Sequence, residues 1–136
     1  MKSITPFLLF VGDQAGKAEE AINFYISLFD NSEVIGIEHH GAGGDEIEGS
    51  VLQARFALNG IEIRAMDSTL NHQFTFTPAV SLFVECESIE EIDNAYEKFM
   101  SGGGDALMPI DNYGFSKRFA WIQDTYGVSW QLNLPD

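Results

Sequence analysis

Glu19-Glu20-Ala21-Ile22-Asn23-Phe24-Tyr25 and Glu90-Glu91-Ile92-Asp93-Asn94-Ala95-Tyr96 run acidic pair, aliphatic residues, asparagine, tyrosine in nearly the same order, once in each half of the chain. Around the first, the apolar residues Ala18, Ala21, Ile22, Tyr25, Leu28 and Phe29 recur at spacings of three and four, which makes one helical face. Around the second, Ser88 can cap a helix whose Glu91 reaches back to the amide of Ser88 itself, and Ser101 with Gly102, Gly103 and Gly104 stops it. The flanks agree as well. Ile4-Thr5-Pro6 recurs as Phe76-Thr77-Pro78, and Arg55-Phe56-Ala57 recurs as Arg118-Phe119-Ala120, each time ahead of a turn glycine, Gly60 or Gly127.

Apolar and β-branched runs place strands at residues 4–11, 34–39, 51–58 and 61–67, and again at 79–86, near 106–109, 117–124 and 128–134. Asn59-Gly60 joins two of them as a hairpin, since both turn residues tolerate positive φ. The order is strand, helix, three strands, twice over. The expected fold is therefore α+β, a single domain over residues 1–136 with two βαβββ units in tandem: unit one at 1–68, a connector at 69–76 and unit two at 77–136. A unit of about 60 residues cannot bury both faces of its own sheet, so two curved mixed sheets are expected to enclose a cleft, the ordinary place for a ligand. Residues 41–49, rich in Gly and acids, read as a mobile loop.

Composition narrows the partners. Lys and Arg number 7 against 21 Asp and Glu, a formal charge of −14 that repels nucleic acid and an anionic membrane surface alike. Lys2 followed by the apolar run 4–11 looks superficially like a signal peptide, but a charged helix follows with no small-residue cleavage pattern. The lone Cys86 cannot pair within the chain, and a cytoplasmic location is the simplest expectation.

Residues Ile4-Thr5-Pro6-Phe7-Leu8, Phe24-Tyr25 with Leu28-Phe29, Ala65-Met66-Asp67-Ser68, His72 with Phe74, Tyr113-Gly114-Phe115-Ser116-Lys117, and above all Tyr126-Gly127-Val128-Ser129-Trp130-Gln131-Leu132 carry a family likeness. With the doubled βαβββ pattern they resemble the PhnB-like branch of the vicinal-oxygen-chelate superfamily, which includes glyoxalase I, ring-cleaving dioxygenases and bleomycin-resistance proteins. The branch is also labelled demethylubiquinone methyltransferase-like. No glycine-rich turn suited to a methyl donor stands between a strand and a helix, so that label is set aside. The resemblance implies a homodimer and, in the enzymes, a divalent metal held by one side chain from the first and last strand of each unit.

Those four positions hold a residue near Thr5, then Arg64, Ser81 and Gln131. A guanidinium cannot coordinate a cation, and no metal or other cofactor is expected; a slip of the strands would bring in Glu62 or Asp67 but leave the first strand empty. His39 and His40 are strand neighbours on opposite faces and read as surface residues. Arg64, Ser81, Ser129 and Gln131 share the polar side of their strands and form a candidate ligand-orienting set, with Arg64 for a carboxylate or phosphate; solvated residues would show the same pattern. Tyr113, Phe115, Phe119 and Trp121 could form an aromatic wall or simply core, and His72 is a hydrogen-bonding candidate. Cys86 between two glutamates is no activated nucleophile. The reading is a small-molecule-binding protein. A metal-dependent lyase, isomerase or dioxygenase, and a ligand-free interaction module, are the alternatives.

Overall fold

The computed structural model describes residues 1–136, which divide into two compact units, Met1–Thr75 and Phe76–Asp136. The first contains β1 (Phe7–Phe10), a single 3-10 turn, α1 (Ala18–Leu28), β2 (Glu33–His39), β3 (Val51–Leu58) and β4 (Ile61–Asp67). The second contains β5 (Ser81–Glu85), α2 (Ile89–Ser101), β6 (Asp105–Asp111), β7 (Arg118–Gln123) and β8 (Ser129–Leu134). Their sheets have the same order, β1-β4-β3-β2 and β5-β8-β7-β6. In each, the first strand runs parallel to the last and the other pairings are antiparallel. The α+β fold with two βαβββ units is thus present.

Local chemistry sets the joints. Asn59 and Gly60 both take positive φ, 49° and 79°, and close β3 onto β4 as a two-residue hairpin with Leu58 opposite Ile61. β1 starts at Phe7 rather than residue 4, because Pro6 has no amide to donate; its carbonyl still accepts from the Arg64 amide at 2.9 Å. Thr5 therefore lies outside the strand. β6 continues through Pro109 to Asp111, which its edge position and shifted register permit. Ser88 caps α2 by accepting from the Glu91 amide at 3.1 Å, but the Glu91 carboxylate takes the amide of Glu87 at 2.7 Å, one residue before the cap.

Packing corrects two of the sequence matches between the halves. α1 buries Ala18, Ala21, Ile22 and Tyr25, and α2 buries Ile92, Ala95 and Phe99. The two burial patterns coincide when Ala18 is set against Ile92, which pairs Tyr25 with Phe99 rather than with Tyr96. Both rings meet the sheet: Tyr25 lies 6.4 Å from Phe56, and Phe99 lies 5.2 Å from Trp130. Likewise Arg55 points away from α1 and forks Glu62, whereas Arg118 turns toward α2 and bonds Asp93 at 2.8 Å. Identical tripeptides occupy opposite faces, since a one-residue slip reverses every side chain of a strand.

Candidate functional site

On the face of the first sheet away from α1, β3 and β4 bring together Arg55, Glu62 and Arg64. Arg55 holds Glu62 in a two-pronged pair, Nη2 to Oε1 at 2.8 Å and Nε to Oε2 at 3.1 Å. Arg64 reaches the same carboxylate only through Nε, at 3.4 Å. The two arginines face each other across the ladder, and one carboxylate serves both. The set therefore carries a net positive charge within a strongly acidic chain, and the terminal nitrogens of Arg64 take no protein partner. The Arg55 guanidinium holds the Glu62 carboxyl below the usual carboxylate range, so the glutamate stays ionised at neutral pH. Arg55, absent from the expected set, claims Glu62 first. Its signal was strand alternation, which puts residue 55 opposite 64 once the Asn59-Gly60 hairpin is fixed.

The second sheet brings together more of the expected residues. Ser81 and Ser129 are ladder partners on β5 and β8, and their hydroxyls bond at 2.7 Å. Trp121 Nε1 donates to Ser129 Oγ at 2.8 Å, which leaves one hydroxyl of the serine pair with a proton to offer. Gln131 lies directly across from Trp121, is half-buried, and makes no side-chain hydrogen bond within the chain. Ser129 itself is 1% exposed, so this is a built polar network rather than a solvated row.

Tyr113 and Phe115 stack at 6.2 Å, and both rings pack on Phe119, at 6.3 and 5.0 Å. The Tyr113 hydroxyl bonds the Pro109 carbonyl. Trp121 is two residues from Phe119 on the same face, but its polar end belongs to the serine pair. His72 belongs to the first unit. Its Nε2 bonds Ser68 Oγ at 3.0 Å and its ring packs on Phe74, as expected of a hydrogen-bonding residue in a connector. Nearby, Glu46 accepts from both the amide and the hydroxyl of Thr69 at 2.8 Å, tying the glycine-rich loop to the connector. His39 is an exposed surface residue, as read, and meets Glu19 of α1 at 2.7 Å.

Two aspartates prove to be architectural. Asp67, 1% exposed, accepts from the amides of Gly16 and Ala18 with Oδ1 and of Val51 with Oδ2. Gly12 and Gly16 stand between β1 and α1, and Asp67 takes the amides of Gly16 and Ala18. Asp124 accepts from the Tyr126 and Val128 amides and from Trp130 Nε1. Cys86 is buried, and desolvation followed by the charges of Glu91 and Glu85 pushes its thiol up to about 12.

The superfamily's metal does not fit the residues at its positions. Arg64 is a cation, the Ser81 and Ser129 hydroxyls are engaged with each other, and Asp67 is spent on three amides. No group of three or more His, Cys, Asp or Glu side chains is arranged to hold an ion. No helix is long and apolar enough to cross a membrane.

The family described as 3-demethylubiquinone-9 3-methyltransferase matches residues 2–133. A Bacillus cereus structure described as a PhnB protein under that same methyltransferase name is 53% identical, with 98% of this chain and 99% of that chain covered and a TM-score of 0.91. A glyoxylase/bleomycin resistance protein/dioxygenase domain from Frankia sp. shares the fold at 13% identity, covering 100% and 99% of the two chains, with a TM-score of 0.68. The fosfomycin resistance protein FosX from Listeria monocytogenes does so at 14%, covering 100% and 96%, with a TM-score of 0.62. No curated protein matches the chain.

Proposed function

Since this chain belongs to the PhnB-like, 3-demethylubiquinone-9 3-methyltransferase family within the glyoxalase, bleomycin-resistance and dioxygenase superfamily, we propose that it binds a small organic molecule carrying an anionic group, without a metal. The observation that carries this reading is the Arg55–Glu62–Arg64 arrangement: one carboxylate shared by two guanidiniums leaves the terminal nitrogens of Arg64 as a free two-pronged donor. Such a fork matches the geometry of a carboxylate or phosphate. The second unit offers a set of its own, in which Ser81, Ser129, Gln131 and Trp121 supply donors and acceptors and Tyr113 an apolar wall. Binding rather than turnover is favoured because the Arg55–Glu62–Arg64 set holds two guanidiniums and a paired carboxylate but no nucleophile. Methyl transfer is left out because the amides at the start of α1 are occupied by Asp67.

A thermal-shift panel of carboxylates, phosphate esters and phosphonates, run on the wild type and Arg64→Ala, tests the reading. A true ligand at one hundred times its dissociation constant adds about 2.7 kcal/mol of stability. The expected result is at least one anion that stabilises the wild type and leaves Arg64→Ala unmoved; equal response of both proteins to every anion refutes it. Elemental analysis after dialysis addresses the enzymatic alternative, which one retained equivalent of zinc, nickel, iron or manganese would support.

A further inference from the structure

The face of the second sheet away from α2 holds an unfinished polar group that the reading above does not use. Asn133, on β8, is 8% exposed. Its Nδ2 donates to Glu85 Oε1 at 2.7 Å, while its Oδ1 is buried with no hydrogen-bond partner. The orientation is fixed by chemistry, because an ionised Glu85 can only accept and the amide must turn its NH2 toward it. Buried acceptors in folded proteins are nearly always satisfied, so an orphan one marks a place where a donor belongs.

The neighbours state which donor. Glu85, exposed on the edge strand β5 and directly opposite Asn133, contributes a full negative charge beside the orphan oxygen. No basic side chain pairs with that carboxylate. On the other side Phe119 is the ladder partner of Asn133, with the Tyr113 and Phe115 rings packed on it, and these present π faces and edges at the same end of the sheet. A carboxylate, an unfilled carbonyl oxygen and an aromatic cluster together select a cation with N–H donors over an anion or a neutral hydroxyl.

We propose that Asn133 Oδ1 and Glu85 form a subsite for a primary ammonium group, with the Phe119–Tyr113–Phe115 cluster as its apolar wall. It rests on the reading that this face receives a small molecule, but it does not use Arg64. The excess of acid in the chain would draw such a cation in.

The probe is benzylammonium titrated into 15N-labelled protein, followed at the side-chain amide of Asn133 and compared with benzyl alcohol and with benzyltrimethylammonium, which keeps the charge but has no N–H. The subsite predicts a saturable shift of the Asn133 Nδ2 protons and binding at least tenfold weaker for both comparison probes. It also predicts at least a tenfold loss in Asn133→Leu and in Glu85→Gln, an exposed position, the folding of both checked by their backbone spectra. Equal binding of benzyltrimethylammonium, or no response at Asn133, overturns it, as does an ordered water on Oδ1 that no amine displaces. Arg64→Ala separates the two readings: amine binding that survives in that variant while no anion binds the wild type sinks only the anion reading, and the reverse pattern sinks only this one.

Discussion

Asp67→Ala should be among the most damaging single substitutions in the first unit, although its side chain touches no ligand-facing residue. The carboxylate accepts three backbone amides, Gly16 at 2.8 Å, Ala18 at 3.1 Å and Val51 at 2.9 Å, joining the start of α1 and the start of β3 to the end of β4. Alanine leaves those amides without an acceptor in a place where the parent side chain is 1% exposed. Each orphaned buried donor costs about 1–3 kcal/mol, and the first turn of α1 also loses the negative charge that suits a helix N-terminus. The expected loss is therefore roughly 3 kcal/mol or more, a large share of the 5–15 kcal/mol by which domains are ordinarily stable. Asp67→Asn keeps one oxygen for Gly16 and Ala18 but turns an NH2 toward Val51, so it should fall between alanine and wild type. Urea denaturation followed by circular dichroism measures both. A loss of under about 1 kcal/mol for Asp67→Ala would refute the architectural role and return Asp67 to the candidate ligands.

The Cys86 thiol, raised to about 12, should resist iodoacetamide at pH 8.5 in the folded protein and react fully once urea unfolds it; rapid reaction in the native state would contradict the burial argument. Because the folded-state value lies above the ordinary thiol value of 9.0, the stability linked to this group is fully present below pH 9 and is lost as pH rises toward 12, so urea midpoints should fall over that window in wild type and less in Cys86→Ala. The family resemblance further predicts a homodimer: sedimentation should give twice the 15.1 kDa chain mass, and a concentration-independent monomer would rule pairing out.

The fold was legible because its signals are local and repeated. Helical spacing around Ala21 and Ala95, Asn59-Gly60 and the Gly102–Gly104 stop each depend on only a few neighbouring residues. What misled was similarity read at the wrong phase. Glu19–Tyr25 and Glu90–Tyr96 look alike, yet burial places Tyr25 with Phe99, one helical turn further on, because packing follows the apolar stripe and not residue identity. Arg55 and Arg118 fail for the analogous reason in a period-two strand. The candidate site was half legible: alternation placed Ser81, Ser129 and Gln131 on one face, and Arg64 on the corresponding face of the other sheet. It could not show that Trp121 donates to Ser129, that Arg55 captures Glu62, or that Asn133 keeps an unpaired oxygen, since each depends on rotamers and on contacts between strands distant in sequence.

The central claim, that the free fork of Arg64 receives an anionic small molecule, is tested most directly by calorimetric titration of the best anion from the stability panel into wild type, Arg64→Lys and Arg64→Ala. The fork predicts saturable one-site binding to wild type, at least tenfold weaker binding to Arg64→Lys because a point charge cannot form two parallel hydrogen bonds, and no detectable heat with Arg64→Ala. Equal affinity for all three proteins would contradict it.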